Sequence, residues 1–160
     1  MQTSRRSQLL LWALTAYIAF IFVQSLFFKF SDSPETIYIF GKLETWAAGL
    51  GAPGLFAPGG IFSAYVVGSA ELVASLLLVG GLASGRALIH ALGALMALGV
   101  ISGAIFFHLF TPLGIEVLNA DGSYDGGELF YFACGVWLAS AVLIGLRKSD
   151  LLDFWKSRHA

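Results

Sequence analysis

Residues 87–110 read ALIHALGALMALGVISGAIFFHLF, a run in which only His90 and His108 are ionisable. A helix needs about 20 apolar residues to cross the roughly 30 Å hydrocarbon core of a bilayer, and this run meets that length. A backbone surrounded by lipid must satisfy its own hydrogen bonds, which an α-helix does. The run therefore predicts a transmembrane helix.

Three other stretches have the same character, at about residues 9–30, 61–82 and 128–146. The whole chain is 58% hydrophobic and only 12% charged, whereas soluble domains carry about 25% charged residues. We therefore predict one integral membrane domain over residues 1–160. Its fold class is all-α, a bundle of four transmembrane helices.

The basic residues predict how the bundle is oriented, because positively charged loops resist translocation. Most of them precede the first span, lie between the second and third, or follow the fourth, and only Lys29 and Lys42 fall on the other side. Both termini are thus predicted to be cytoplasmic in a plasma membrane of the bacterial inner-membrane kind. The basic residues on that side are Arg5, Arg6, Arg86, Arg147, Lys148, Lys156 and Arg158.

Residues 34–50, in the loop after the first span, have the pattern of a short surface helix. The sequence Asp32-Ser33-Pro34-Glu35 is a helix start, with a capping residue, proline at the first helical position and an acid near the positive end of the helix dipole. Apolar side chains then recur every three or four positions, and Trp46 is suited to anchor the helix at the membrane surface. We predict an amphipathic helix here.

Four ionisable residues are predicted to lie in the outer half of the bundle: Lys29, Glu71, His108 and Glu128. Glu71 is the deepest, about 22 Å from Arg86 at 1.5 Å per residue. Charges inside a membrane usually face the bundle interior and pair with one another, so we expect the four to converge. Lys29 and His108 could instead be interfacial anchors, and Glu128 a first-turn acid favoured by the helix dipole.

A possible internal repeat relates these residues. Two spans end in Phe-Phe followed by a base, Lys29 or His108, and the other two have small residues shortly before Glu71-Leu72 or Glu128-Leu129. The chain can thus be divided into two helical hairpins of parallel topology. That symmetry predicts that Lys29 and His108 occupy equivalent positions.

The sequence has no motif for haem or for a metal centre. His90 and His108 are separated by about 27 Å along one helix, too far to share a ligand. A single metal on Glu71, His108 and Glu128 is an alternative that Lys29 would oppose by competing for the carboxylates. Asn119 to Asp125 resembles the start of a calcium loop, yet its twelfth position holds Phe130 rather than the required glutamate. The single cysteine, Cys134, excludes dithiol exchange within one chain.

The second and third spans resemble those of the DoxX-like family of small four-helix membrane proteins. The resemblance rests on Glu71 to Arg86, followed by an Ala-rich helix ending in His108, and on the Phe27-Phe-Lys-Phe30 end of the first span. It implies a four-span bundle that in some members is a subunit of a thiosulfate:quinone oxidoreductase. Residues 119–127 and the surface helix lie outside the resemblance, so it does not assign thiosulfate as a substrate.

We expect a membrane subunit or accessory protein of a redox system that binds a quinone-like ligand near the outer face. Glu71 and His108 would relay protons as candidate catalytic residues. The ligand would contact Lys29 and Glu128, with aromatic rings stacking on it. The rival hypothesis is a noncatalytic subunit or assembly factor. Expected partners are membrane lipids and either other proteins or further copies of the chain, not nucleic acid. The predicted stacking residues are Phe28, Phe107 and Tyr131.

Overall fold

A computed structural model describes residues 5–159, with side chains up to residue 157, so Arg158 and His159 lie outside the described side chains. The described chain is helical, with no strand and a single isolated β-bridge between Leu118 and Tyr124. The helices are α1 Arg5–Phe30, α2 Pro34–Gly49, α3 Ala64–Ala83, α4 Ala87–Phe110, α5 Glu128–Leu146 and α6 Lys148–His159.

Four of these helices, α1, α3, α4 and α5, are long and apolar enough to cross a membrane. The predicted fold class is confirmed, and the chain is a multi-pass membrane protein. The surface helix was predicted at residues 34–50 and is α2. The short helix α6 was not predicted, because its charged residues give it no apolar run.

The four long helices form a ring in which α1 packs on α3, α3 on α4, α4 on α5 and α5 on α1. The contact between α3 and α4 is the most extensive and depends on glycine. A Cβ on Gly81 would lie 2.3 Å from the backbone nitrogen of His90, and one on Gly93 would lie 2.7 Å from that of Leu78. Both glycines therefore allow the two backbones to approach closely.

The two ends of the bundle differ. We call the end that holds α2 with the loops 50–63 and 111–127 the α2 face, and the end that holds the turn 84–86 with α6 the basic end. α1 and α4 run toward the α2 face, while α3 and α5 run away from it. Between the two ends lies an apolar core to which all four spans contribute, including Ile18, Phe22, Leu78, Ala97 and Val136.

The α2 face has a small core of its own. Leu43 and Ala47 of α2 pack with Phe56 and Leu113 from the two loops. The carboxylate of Glu44 accepts hydrogen bonds from the backbone nitrogens of Gly54 at 2.6 Å and of Phe56 at 2.9 Å. These two backbone hydrogen bonds lower the pKa of Glu44 below its ordinary value, and they tie the glycine-rich loop to α2.

α2 begins where the sequence predicts. Ser33 is the N-cap residue and its hydroxyl accepts a hydrogen bond from the backbone nitrogen of Thr36 at 3.3 Å. Pro34 occupies the first helical position, where its missing N–H costs nothing. Glu35, in the first turn, also accepts a hydrogen bond from the backbone nitrogen of Ala120, which joins α2 to the loop 111–127.

Candidate functional site

Lys29 and Glu71 form an ion pair inside the bundle, near the α2 face. Lys29 Nζ lies 3.1 Å from Glu71 Oε1 and 3.0 Å from Oε2, so the ammonium bridges both carboxylate oxygens. The ammonium also donates to the hydroxyl of Ser25, one turn earlier in α1. Their side chains are only 15% and 7% exposed, respectively. The prediction that charged residues converge is confirmed for these two.

The fold positions this pair by a close contact between α1 and α3. Gly68 lies one turn before Glu71 in α3, and a Cβ at this position would lie 2.9 Å from the ring of Phe30 and 3.4 Å from Cδ of Lys29. The missing side chain thus leaves room for the Lys29 stem to lie across α3. A larger residue here would displace Phe30 and, with it, the lysine.

A cavity of about 250 Å³ opens at the α2 face, beside the start of α3. Its wall is mostly apolar and aromatic, with Phe40 from α2 and Phe56 from the following loop. Polar groups reach it from Asp32, Glu44 and Tyr65. A mostly apolar cleft with a few polar groups is typical of small-molecule sites, although this one lies just below their usual lower size of about 300 Å³.

Tyr65 connects the cavity with the ion pair. Its ring stacks on Phe30 with centroids 5.9 Å apart, and Phe30 in turn lies against Gly68 beside the Lys29 stem. The Tyr65 hydroxyl donates to Asp32 Oδ2 at 2.8 Å. The other carboxylate oxygen of Asp32 has no hydrogen-bond partner among residues 5–157. The cavity therefore holds a free acceptor at its rim.

His108 is buried, with only 8% of its surface exposed, but it does not join the ion pair. Its Nδ1 lies 2.7 Å from the carbonyl oxygen of Gly114. A carbonyl only accepts, so Nδ1 carries the hydrogen and donates. The ring also packs edge-on against Phe130. His108 was expected to face either the two glutamates or the lipid headgroups, and instead it fastens the loop after α4 to the bundle.

Glu128 does not join the cluster either. It is the first residue of α5, its side chain is exposed, and it forms no ion pair within the described chain. The prediction that all four ionisable residues converge is therefore wrong. The loop 111–127 places the start of α5, and with it Glu128, at the surface. The two hairpins also differ in their polar contacts, since Lys29 contacts Glu71 while His108 and Glu128 make no equivalent contact. That Lys29 and His108 occupy equivalent helix positions stays a prediction.

The predicted stacking residues do not line one site. Phe28 and Tyr131 are 41% and 65% exposed on the outside of the bundle. Phe107 packs edge-on against Phe56, with centroids 5.1 Å apart, and so supports the cavity wall from behind. Of the three, Phe107 alone has a place near the cavity.

A second polar cluster, at the basic end, was missed. His90 is fully buried; its Nε2 lies 2.8 Å from the hydroxyl of Thr15, and its Nδ1 accepts from Arg147 Nε at 3.3 Å. Because a guanidinium only donates, Nδ1 must be the unprotonated nitrogen and Nε2–H donates to Thr15. Arg147 also lies 4.0 Å from Asp150. The feature of the sequence that could have revealed this cluster is Thr15, a polar residue in the otherwise apolar buried stripe of α1.

Two acids of the loop 111–127, Asp121 and Asp125, form hydrogen bonds within the loop and to the start of α5. Asp125 accepts hydrogen bonds from the backbone nitrogens of Val117, Gly127 and Leu129. Asp121 accepts from the backbone and hydroxyl of Ser123, and these bonds lower its pKa. Within the described residues no group of three or more His, Cys, Asp or Glu side chains is arranged to hold a metal ion. These two aspartates shape the turn, and Asp125 also caps the start of α5.

Comparison with known proteins gave no match, whether to a protein-family model, a characterised protein or a solved structure. A buried ion pair, a stacked Phe30–Tyr65 pair and an aromatic cavity with a free carboxylate oxygen lie in sequence toward the α2 face. Such a site can bind a planar ring and accept a hydrogen bond from a hydroxyl group on it.

Proposed function

We propose that the protein is a membrane subunit or accessory protein of a redox system, of the DoxX-like kind, that binds a quinone-like ligand at the α2 face. In this proposal both termini are cytoplasmic and the α2 face is on the outer side of a bacterial inner membrane. The observation that carries it is the aromatic cavity with the free oxygen of Asp32 at its rim.

The cavity suits the head of such a ligand better than the whole molecule. About 250 Å³ accommodates a ring and its substituents, whereas a long isoprenoid tail must remain outside. Ile37 and Tyr65, which also line the cavity, are exposed on its outer flank. A tail leaving past these two residues would enter the surrounding lipid. The reduced, hydroxylated form fits best, because Asp32 can accept a hydrogen bond and cannot donate one when ionised.

Lys29 and Glu71 serve as supporting groups in this proposal. They lie behind Phe30 and Tyr65, so they do not touch a ring bound in the cavity. Their role is to fix the Lys29 stem and Phe30 against Gly68, and thereby the position of Tyr65. The proton relay predicted for Glu71 and His108 is not part of the proposal, because His108 is bonded to the loop.

Binding of a short-chain quinol to the purified protein tests the proposal. Asp32→Asn should weaken quinol binding about tenfold, since a hydrogen bond to a charged group contributes roughly 1.5–3 kcal/mol when well formed and less at an exposed rim. Asp121→Asn is the matched control and should leave binding unchanged, because Asp121 is an exposed aspartate in the loop 111–127 that does not line the cavity. Equal quinol affinity in the wild type and both variants would refute the cavity as the site.

A second candidate function is favoured by one observation. Lys29 and Glu71 neutralise each other, as expected of an ion pair whose role is to hold α1 against α3. A noncatalytic subunit or assembly factor would need no more than this. Its distinguishing result is a wild-type protein that binds no quinol and is recovered from native membranes only within a larger complex.

A further inference from the structure

Gln24 is a polar residue in an unusual place. It lies on the outward surface of α1, six residues before the end of the helix at Phe30, hence about 9 Å below the α2 face. Its side-chain amide has no hydrogen-bond partner among the described residues. An unpaired amide in hydrocarbon is unfavourable, and glutamine in membrane helices usually bonds to a neighbouring helix.

The surface around Gln24 is concave. Side chains of α1 alone line an open groove of about 480 Å³ here, and Phe20 and Phe27, 65% and 74% exposed, lie two turns apart along it. Ala16 and Ala19 form its floor toward the basic end. Small residues of this kind let a second helix approach closely. Of the four spans, α1 also has the smallest buried share.

The geometry points to a second copy of this chain as the occupant of the groove. All copies in one membrane have the same orientation, so two α1 helices can meet only in parallel, about a twofold axis along the membrane normal. In such an interface each residue near the axis faces its own copy. A glutamine amide carries both donors and an acceptor, so it pairs with itself, which a lysine or a carboxylate cannot do.

The groove on α1 and the ligand site lie on different surfaces of the bundle. Gln24 and the groove lie on the face of α1 opposite the buried stripe Leu11, Thr15, Ile18, Phe22 and Leu26, whereas Lys29 points into the bundle. A dimer formed through the groove therefore leaves the cavity at the α2 face open. Loss of dimerisation and loss of ligand binding can be measured separately.

Disulfide crosslinking in native membranes tests the dimer. In a Cys134→Ala background, Phe20→Cys places a thiol beside the groove, and Leu138→Cys is the matched control on α5. Both positions lie ten residues from the end of their helix at the α2 face, and they are 65% and 61% exposed. Under mild oxidation Phe20→Cys should give a homodimer band, and Leu138→Cys should give only a trace.

The amide is then tested in the same background. Gln24→Leu should weaken dimerisation roughly threefold or more, the effect expected of one interhelical hydrogen bond in a membrane. Gln24→Asn keeps an amide and should restore much of the crosslinking. Equal yields at Phe20→Cys and Leu138→Cys, a yield unaffected by Gln24→Leu, or an adduct with a different protein would each overturn the inference.

Discussion

Replacing Glu71 by leucine tests how far the ion pair stabilises the bundle. The substitution leaves the Lys29 ammonium, only 15% exposed, with Ser25 as its remaining partner. Removing one member of a buried pair costs about 3–5 kcal/mol, because the other charge stays buried without compensation. Lys29 is the last residue but one of α1 and can extend toward the α2 face, so we expect a cost near the lower limit, about 3 kcal/mol.

The double variant Lys29→Met/Glu71→Leu should behave differently. With both charges gone, two apolar side chains fill the same space, and the free energy of unfolding should be within about 1 kcal/mol of the wild type. The unfolding free energies lost in Glu71→Leu alone and in Lys29→Met alone would then add up to several kcal/mol more than the loss in the double variant. Such a coupling energy is the signature of a direct interaction.

The assay is reversible unfolding in mixed detergent micelles with increasing dodecyl sulfate, followed by far-ultraviolet circular dichroism. Glu116→Leu is the control, since Glu116 is exposed and takes part in no ion pair within the described chain. Its effect should stay within about 0.5 kcal/mol. The reasoning fails if Glu71→Leu costs no more than Glu116→Leu, or if the double variant loses as much as the two single variants together.

Three further outcomes are expected. His90→Leu should cost about 1–3 kcal/mol in the same unfolding assay, because it leaves two buried or half-buried hydrogen-bonding partners unsatisfied. Gly93→Ala should cost about 1–3 kcal/mol by forcing its Cβ against the backbone of Leu78, whereas Gly99→Ala, with no atom within 4 Å, should be neutral or slightly stabilising. Because the pKa of Glu44 is lowered in the folded protein, its carboxylate stabilises the α2 face at neutral pH, and this stabilisation is lost as pH falls below the ordinary carboxyl pKa of 4.5. The protection of the amides of the loop 50–63, measured as the exchange rate relative to the intrinsic rate at the same pH, should therefore fall in the wild type over this range and change little in Glu44→Gln.

Apolar length predicted the four spans, because a lipid-embedded backbone has few alternatives to a helix. Capping chemistry predicted the start of α2 at Pro34. The short helix α6 escaped prediction because its Leu and Trp residues alternate with charges, and a surface helix needs no continuous apolar run.

The site was harder to predict from the sequence. Depth along a helix can be counted at 1.5 Å per residue, and this count placed both Lys29 and Glu71 in the outer half of the bundle. Depth says nothing of which way a side chain faces around the helix axis, or of how a loop folds back. The loop 111–127 folds on itself through hydrogen bonds to Asp125. As a result His108 donates a hydrogen bond to the carbonyl of Gly114, and Glu128 lies at the surface.

The same limit explains why the polar cluster of the basic end was missed. His90 and Arg147 are 57 positions apart and come from α4 and the end of α5. Only the ring arrangement of the helices brings them together with Thr15. A polar residue within an otherwise apolar buried stripe is the one sequence signal that could have identified the cluster.

Binding of a quinone-like ring in the cavity at the α2 face can be read from the amount of quinone that purifies with the protein. The protein is extracted from native membranes in gentle detergent, and quinone per chain is determined by mass spectrometry for the wild type, Asp32→Asn and Asp121→Asn. We predict a near-stoichiometric amount in the wild type and Asp121→Asn, and a clear loss in Asp32→Asn. A wild type that carries no more quinone than Asp32→Asn would show that the cavity does not bind quinone.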